Sequence, residues 1–321
     1  MATMSPTIDV VIVAFGRYEL TDSCLRHLRA QKPEHRVILV DNGSTDDSAT
    51  RVAADWPDVH LERFAENRGF AEACNLGVAA GTGEIVVLLN NDVDVHPDFL
   101  ERLTAPLEED PAVGSVAALM LHPGEQLIDS AGLAADVTLA GFPRLQGLQA
   151  WQAEREEPVL AGPAGTAAAY RRSAWEEVGG LDEAIFAYME DFDLALRLRS
   201  AGWGSVLASD AVGVHLGSAT HGHRSAWQRR HGAFGRGYML RRYGLLRTRS
   251  APRTIATEAA VVLADMAISR DLAALRGRVS GWRAGSPAPR LSLPPRDAVD
   301  HTITFRESGA LRRGVYGRRA V

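Results

Sequence analysis

The sequence predicts an α/β protein in which a mainly parallel sheet is flanked by helices and followed by a helical, basic C-terminal extension. Strand-like apolar runs alternate with helical segments over the first 95 residues, an order typical of parallel sheets with right-handed crossovers. With 321 residues, of which 46% are apolar and 23% charged, the chain can form one large domain and an appendage.

The charge distribution indicates where the appendage begins. The net charge of −5 divides into −19 over residues 1–215 and +14 over residues 216–321. We expect a main domain over residues 1–245 and a helical, Pro-rich basic extension over residues 246–321. Within the extension, residues 257–279 have the pattern of one amphipathic helix, which would pack on the domain or lie on a membrane surface.

Four strands are predicted in the first third of the chain. Their apolar runs are typical of strands buried in a parallel sheet, and they cover residues 8–15, 36–41, 59–64 and 84–90. In the helix after the first strand, Leu20, Cys24 and Leu28 recur at helical spacing. In the next helix, Ser44 and Asp47 predict a capping box.

The carboxyl ends of these strands carry polar and aromatic residues. In a parallel sheet such ends border one ligand crevice. For a nucleotide, Phe15 is suited to support the base, Asp41 to accept from a base N–H, and Asn67 and Arg68 to contact ribose or phosphate. The alternative for Asp41 is a turn that caps the next helix.

Several classes of protein are excluded or disfavoured. No GxGxxG follows the first strand, which argues against a dinucleotide-dependent dehydrogenase, and the absence of GxxxxGK[ST] excludes a P-loop. Cys24 and Cys74 form neither a disulfide framework nor a metal motif, as expected of a reduced chain. The sequence has no signal-like start and no long apolar run, so we expect a cytoplasmic protein. The alternative location is peripheral, at the inner face of the cell membrane.

A buried strand ends in the polar cluster LLNNDVDV, residues 88–95. Mg²⁺ or Mn²⁺ binds hard oxygen ligands and keeps waters and substrate oxygens, so one or two protein carboxylates suffice beside a diphosphate. Two registers are open, Asn90 with Asp92 or Asp92 with Asp94, and Asp92 belongs to both. The alternative is a strand-ending turn of small polar residues.

Two adjacent acids, Glu190 and Asp191, begin the helix in MEDFDLALRLRSAGW. Acids at a helix start are commonly caps, favoured by the helix dipole. The same dipole favours an ionised carboxylate, the form in which a general base acts. Asp193 and Arg197 form an i,i+4 pair in the same helix.

Six stretches together resemble the family 2 glycosyltransferases of the GT-A fold, in particular the bacterial rhamnosyltransferase-like branch. They cover about residues 8–220 in the family's order: VVIVAFGR, VILVDNGSTD, ENRGFAEACNLG, GEIVVLLNNDVDVHPDFL, GTAAAYRRSAWEEVGGLDEAIFAYMEDFDLALRLRSAGW and GVHLGS. The resemblance implies an inverting, metal-dependent transferase with a nucleotide-binding half over about 1–95 and an acceptor half over about 96–245.

The resemblance also implies roles for single residues. The nucleotide would be bound at Phe15, Asp41, Asn67 and Arg68. LNND looks like the DxD motif, with Asn90 in its first position and Asp92 on the metal. Glu190 and Asp191 look like the catalytic pair, with Asp191 as base, and His215 looks like the histidine near the metal or diphosphate. The chain departs from the family at Gly16, where Asn is frequent, and at Asn90, where Asp is frequent.

The segment after His215 has no acid between Val212 and Thr257. Its arginines, among them Arg229, Arg230, Arg241 and Arg242, are interleaved with aromatic residues. Such a segment suits an anionic partner, namely a lipid-linked diphosphate or an anionic membrane at residues 224–253, and we expect no nucleic acid partner. The alternative is a basic helix that packs on the acidic domain.

We therefore expect transfer of a hexose or deoxyhexose, with rhamnose as the family analogue, from a dTDP- or UDP-sugar to a lipid-linked or cell-surface glycan. A non-catalytic sugar-nucleotide or glycan-binding module, weakened at Asn90, is the alternative from another class. A nucleotidyltransferase is disfavoured because AFGRYE supplies no Gly-rich basic loop after the first strand.

Overall fold

The computed structural model of the protein describes residues 6–217 and 225–312. Within these residues nine strands form one sheet, and two further strands pair separately. The strands are β1 (Ile8–Ala14), β2 (Arg36–Asp41), β3 (His60–Arg63), β4 (Ile85–Asn90), β5 (Val93–Val95), β6 (Val113–Leu121), β7 (Ile128–Ser130), β8 (Leu133–Ala135), β9 (Gly141–Pro143), β10 (Ala167–Arg171) and β11 (Gly204–His215).

The main sheet is mixed. Its order is β3-β2-β1-β4-β10-β6-β11-β5, with β7 added to β6. The β3-β2-β1-β4 half is parallel throughout, and β11 runs parallel to β6. β10 runs antiparallel between β4 and β6, and β5 runs antiparallel to β11. The α/β class is confirmed, and the four strands of the parallel half are those expected from the sequence.

Helices cover both faces of this sheet. They are α1 (Tyr18–Arg29), α2 (Ser48–Asp55), α3 (Phe70–Ala79), α4 (Phe99–Glu109), α5 (Arg172–Val178), α6 (Glu190–Ser200), α7 (Ala226–Arg242), α8 (Ala251–Ser269), α9 (Ala273–Ala284) and α10 (Phe305–Leu311). One face of the sheet packs against Leu25, Leu28, Phe99 and Leu103, and the other against Cys74, Val78, Trp175 and Leu194. Removal of these side chains from water is the main force that holds the layers together.

Two local expectations are wrong. Ser44 does not cap α2, which begins at Ser48; its hydroxyl accepts instead from the Gly16 backbone N–H at 2.6 Å. Residues 257–279 are not one helix, because Arg270 takes a left-handed conformation with φ 54° and separates α8 from α9.

The C-terminal helices share a core with the main domain. α7 packs closely on α9 because Gly277 and Gly281 have no side chain to hold the backbones of the two helices apart. Met239 of α7, Tyr243 directly after it and Val299 lie in one buried cluster with Phe192 of α6. The residues after 245 therefore pack on the domain rather than extending away from it. Among the described residues, no helix combines the length and apolarity that a bilayer crossing requires.

Candidate functional site

The first edge of the crevice is formed by the ends of β1, β2 and β3. Phe15 directly follows β1 and is half-buried. Asn42 follows β2 and bridges to the next loop: its side chain accepts from the Arg68 N–H at 2.9 Å and donates to the Gly69 carbonyl at 3.1 Å. Asn67 accepts from the Gly69 N–H at 3.0 Å. These hydrogen bonds connect the end of β2 to the loop that follows β3, so this surface is ordered without a ligand.

Asp41 and Arg68 carry the charges of this edge. The Asp41 carboxylate is buried and accepts from Arg63 Nε at 3.0 Å and from the Ser44 N–H at 3.2 Å. The Arg68 guanidinium is exposed, pairs with Glu72 at 3.0 Å and lies over the Phe64 ring. Arg63 shields Asp41, so a base N–H that bound this carboxylate would share it with the guanidinium.

The second part of the crevice is the turn between β4 and β5. Asn90 ends β4, and its N–H donates to the Thr166 carbonyl at 2.9 Å. Asp92 Oδ1 lies 3.4 Å from His215 Nε2, because β5 pairs with the end of β11 and brings His215 opposite Val93. Asp94 faces α1 instead, where it accepts from the Ser23 hydroxyl at 2.8 Å.

A further acid, Asp129 in β7, completes this cluster. Its Oδ2 lies 2.8 Å from His215 Nδ1, so the imidazole is held between Asp129 and Asp92. Burial lowers the pKa of His215, but the hydrogen bonds and charges of Asp129 and Asp92 outweigh it and raise the pKa to about 10. Nothing in the sequence around Asp129 marks it, since β7 is a short strand that reaches His215 only by pairing with β6.

The donor atoms of this cluster suit a divalent cation that retains other ligands. Within residues 6–217 and 225–312, no three His, Cys, Asp or Glu side chains are grouped tightly enough to enclose a metal by themselves. Asp92 Oδ1 and His215 Nε2 nevertheless face each other, and one carboxylate with one imidazole is a set that Mn²⁺ accepts once the cation has displaced the proton from Nε2. Asp129 on the far ring nitrogen would orient His215 for such a role.

The third part is the start of α6, where the backbone is strained. Tyr188 and Met189 both have positive φ, 66° and 82°, although neither is glycine. α7 packs against this turn at Gly235, where a Cβ would lie 2.6 Å from the Tyr188 carbonyl oxygen. The turn directs Glu190 into the protein, where it is buried, whereas Asp191 retains some exposure.

Glu190 and Asp191, the first two residues of α6, have no cationic partner in the described contacts. Asp191 accepts from the N–H groups of Gly165 at 2.8 Å and Phe192 at 2.7 Å. Glu190 Oε2 is buried without a hydrogen bond. Burial raises the pKa of Asp191 against the effect of these N–H groups. Burial and the adjacent Asp191 charge raise the pKa of Glu190 well above its ordinary value. Paired carboxyl groups with raised pKa values are a frequent property of catalytic sites.

The residues just before β10 link the second and third parts of the crevice. Gly165 donates to Asp191, and the adjacent Thr166 accepts from Asn90. Two consecutive residues therefore tie the end of β4 to the start of α6. Phe70, at the start of α3, lies beside Gly165 and joins the first part to them. The predicted residues of all three parts, with the exception of Asp94, border one region of the sheet edge.

An aromatic cluster borders the α6 acids, and the sequence did not single it out as a site. Trp227 and His231 of α7 have ring centroids 4.0 Å apart. Phe186 and Tyr188, on the turn before α6, meet Trp227 edge to face at 6.2 and 6.0 Å. Tyr188 is exposed. His221 and His223 lie outside the described residues.

The arginines of the basic segment largely have partners within the chain. Arg229 pairs with Asp265 at 2.7 Å and with Asp271. Arg241 donates to Ser286 at 2.9 Å, and Arg242 donates to the Pro289 carbonyl at 2.7 Å. Arg230 is exposed. Most of these cations therefore fasten α7 to the C-terminal residues, as in the alternative of a basic packing helix, and the anionic partner of residues 224–253 stays a prediction.

Comparison with known sequences identifies the family. The family described as Glycosyl transferase family 2 matches residues 9–179. An N-acetylglucosaminyl-diphospho-decaprenol L-rhamnosyltransferase of Mycobacterium tuberculosis is 32% identical over 235 residues, which cover 66% of this chain and 76% of that protein. An O-antigen biosynthesis protein of Myxococcus xanthus is 27% identical over 236 residues, covering 67% of this chain and 18% of that protein.

Solved structures agree on the fold. A mannosyltransferase from Pyrobaculum calidifontis, in complex with GDP-Man and Mn²⁺, superposes with a TM-score of 0.52 at 22% identity, covering 90% of this chain and 77% of that one. GalNAc-T7 with UDP, GalNAc and Mn²⁺ gives a TM-score of 0.58 at 15% identity, covering 78% of this chain and 51% of that one. The chain has the architecture of the GT-A transferases, and it belongs to glycosyl transferase family 2.

Proposed function

We propose that the protein is an inverting, metal-dependent glycosyltransferase that moves a hexose or deoxyhexose, with rhamnose as first candidate, from a nucleoside diphosphate to a glycan hydroxyl. The observation that carries the proposal is the link before β10, where Gly165 holds Asp191 and Thr166 holds Asn90. This link holds the Asp191 carboxylate near the end of β4, where a diphosphate would bind. Glycosyl transfer needs a base and a diphosphate site close to each other.

The nucleotide of a dTDP- or UDP-sugar would lie along the ends of β1 to β3. Phe15 offers a half-buried ring to the base, and Asp41 offers a buried carboxylate to a base N–H. Asn67 and the exposed Arg68 are suited to ribose and phosphate oxygens. Asn90 lies next, toward the diphosphate. The hydrogen bonds through Asn42 preorganise this subsite, which lowers the cost of ordering it on binding.

Asp92 and His215 would hold Mg²⁺ or Mn²⁺ with the diphosphate oxygens of the donor. When bound, the cation neutralises negative charge on the leaving nucleoside diphosphate. Asp129 would keep His215 oriented for this contact, and Asp94, which faces α1, favours the register of Asn90 with Asp92. The two solved neighbours hold Mn²⁺, which makes it the first ion to test.

Asp191 would act as the general base. In the displacement, the acceptor oxygen forms a bond to the anomeric carbon while the bond from that carbon to the diphosphate oxygen breaks on the opposite face. The acceptor proton passes to Asp191, whose raised pKa strengthens it as a base. Glu190, buried and unpaired at Oε2, lies next to it in the chain, and burial together with the Asp191 charge raises the pKa of Glu190 well above its ordinary value.

The aromatic cluster of Phe186, Tyr188, Trp227 and His231 would border the acceptor. Sugars stack their apolar faces on aromatic rings, and Tyr188 is both exposed and two residues before Glu190. The Mycobacterium tuberculosis relative is named for a diphospho-decaprenol acceptor. A lipid-linked acceptor of this kind, at the cytoplasmic face of a membrane, is the class we propose here.

A panel of nucleotide sugars tests the proposal. Each is mixed with the full chain and Mn²⁺, thermal unfolding is recorded, and release of nucleoside diphosphate is then followed with an N-acetylglucosaminyl-diphospho-lipid acceptor. We expect one donor class to raise the Tm with Mn²⁺ and not with EDTA, and to turn over. A donor that binds but is never consumed would support the alternative, a non-catalytic sugar-nucleotide-binding module.

A further inference from the structure

Helix α8 presents an apolar face to solvent. Its exposed residues recur every three or four positions, so they lie on one face of the helix. Ile255 is 56% exposed, Leu263 65% and Ile268 74%. The remaining exposed positions of the helix are also apolar: Pro252, Ala256, Ala259, Ala260, Ala264 and Ala267. The usual arrangement of apolar residues inside and polar residues outside is therefore reversed along α8.

Helix α9 repeats this arrangement and adds positive charge. Leu272, just before the helix, and Leu275 and Val279 within it are exposed at helical spacing. The exposed charged residues nearby are Arg270 between the two helices and Arg276 and Arg283 in α9. We call the exposed residues of 252–284 together the α8–α9 face.

Every acid of this stretch is paired with an arginine from the inner side. Glu258 accepts from Arg236 and Arg278, both at 2.8 Å. Asp265 and Asp271 both accept from Arg229. The fully exposed residues of 252–284 are consequently apolar or arginine, and the partly exposed Asp271 is neutralised by Arg229. Such a surface combines apolar area with a uniform positive charge.

We propose that the α8–α9 face docks on the surface of an anionic lipid bilayer. Helices that bind at the bilayer interface bury an apolar face about 5–10 Å into the boundary between headgroups and acyl chains. Ile255, Leu263 and Ile268 are the side chains that would enter, and Arg270, Arg276 and Arg283 would meet lipid phosphates. The helices lie on the membrane in this arrangement and do not cross it.

Charge favours a bilayer over a second copy of the chain as the occupant. In a symmetric dimer the same patch faces itself. Arg270, Arg276 and Arg283 would then approach the same three arginines of the other copy, and the acids of the face, already paired with Arg229, Arg236 and Arg278, would offset little of the repulsion. An anionic membrane supplies the complementary charge and the apolar phase together.

Sedimentation with vesicles tests the proposal on the full chain without any sugar donor. Wild-type protein should bind phosphatidylglycerol–phosphatidylcholine vesicles. It should dissociate from them as the salt concentration rises, because salt screens the attraction between the arginines and the lipid phosphates. Leu263→Glu with Ile268→Glu should weaken binding roughly 10-fold or more. Arg270→Gln, Arg276→Gln and Arg283→Gln together should weaken it roughly 100-fold.

Leu293→Glu is the matched control, since Leu293 is 50% exposed but lies outside both helices, and it should bind as wild type does. Circular dichroism melts confirm that each variant is folded. The proposal is overturned if the wild-type protein does not bind anionic vesicles. It is also overturned if the Leu263→Glu, Ile268→Glu variant binds them as tightly as the wild type does. A dimer in light scattering that the same double variant dissociates also overturns it.

The membrane proposal does not depend on the transferase reaction, and the two fail separately. Hydrolysis of donor, or transfer to a soluble acceptor, should be equal in wild type and in the Leu263→Glu, Ile268→Glu variant. Vesicle binding without any turnover leaves the α8–α9 face standing and contradicts only the proposed reaction. Turnover without vesicle binding contradicts the membrane proposal and leaves the proposed reaction standing.

Discussion

The two acidic ends of the crevice, after β4 and at the start of α6, hold their carboxylates in opposite ways. Asp92 lies 3.4 Å from an imidazole that Asp129 holds from the other side. Among the described residues, the hydrogen bonds to the Asp191 carboxylate come from backbone N–H groups, and a second acid, Glu190, precedes it in the chain. The imidazole gives the Asp92 carboxylate a partner for its charge, whereas burial raises the affinity of Asp191 and Glu190 for protons. The same residue type is thus suited to bind a cation at one end and to take a proton at the other.

The largest expected effect comes from Asp191→Asn, which keeps the shape of the side chain and removes its affinity for protons. We expect kcat to fall roughly 10²- to 10⁴-fold with unchanged affinity for the nucleotide sugar. Steady-state kinetics and calorimetric binding of the donor provide the measurement. Asp210→Asn, at an exposed acid of β11 that pairs with Arg102, is the control. An equal loss of donor affinity would place Asp191 in the nucleotide or metal site. The distinction between a cation-binding Asp92 and a proton-accepting Asp191 would then be wrong.

Asp92→Ala tests the proposed metal site after β4. We expect Mn²⁺-dependent donor binding to disappear and turnover to fall by roughly 100-fold or more, because the charge of the diphosphate is no longer neutralised. Asp94→Ala should retain both properties, since Asp94 is bound to Ser23 of α1. A dead Asp94→Ala enzyme beside an active Asp92→Ala enzyme would move the metal register by two residues.

Asp129→Ala should weaken Mn²⁺ binding roughly 10- to 100-fold, because His215 loses the carboxylate that orients its ring. Electron paramagnetic resonance of free Mn²⁺ measures this affinity without turnover. Gln146→Ala is the matched variant, since Gln146 touches Asp129 only at 3.5 Å and should change the affinity little. Equal affinity in Asp129→Ala and wild type would show that His215 does not contact the ion.

The smallest effect is a shift in pH dependence. A base acts only when deprotonated, so a raised pKa for Asp191 means that kcat falls, as pH is lowered, already above the ordinary carboxyl range. Burial raises the pKa of Asp191, and the Asp191 charge in turn raises the pKa of Glu190, so Glu190→Gln should leave this acid limb nearly in place. A pH–rate profile decides it: an acid limb that moves to lower pH in Glu190→Gln would mean that Glu190 also raises the pKa of the base.

Prediction from sequence succeeded where chemistry follows from local pattern. The buried runs of β1, β2 and β4 and the polar residues at their ends are set by hydrophobic periodicity, and the sheet brings those ends together as expected. It was wrong where a local signal competes with a distant contact. Ser44 has the residue type of a cap, but Gly16 N–H is its partner, 28 positions away.

The basic segment illustrates the same limit for function. An acid-free run of arginines suggests an anionic ligand, yet Arg229 is bound to Asp265 and Asp271, which follow it by more than 30 residues. Conversely, residues 257–279 suggested either packing or a membrane surface, and only the fold distinguishes their inner acids from their exposed apolar face. Spacing identifies the faces of a helix but not which one is covered.

The sequence by itself determined the α/β class, the order of the crevice-forming strands and the presence of two acidic clusters, because these depend on periodicity and on residue type within short windows. Tertiary structure alone decided that Asp129 holds His215, that Gly165 and Thr166 tie Asp191 to Asn90, and that the apolar face of α8 points to solvent. The first two join residues from separate elements, and the third depends on which side of α8 the rest of the protein covers. Burial and distance, which set the charge state of a carboxylate, exist only once those elements have packed.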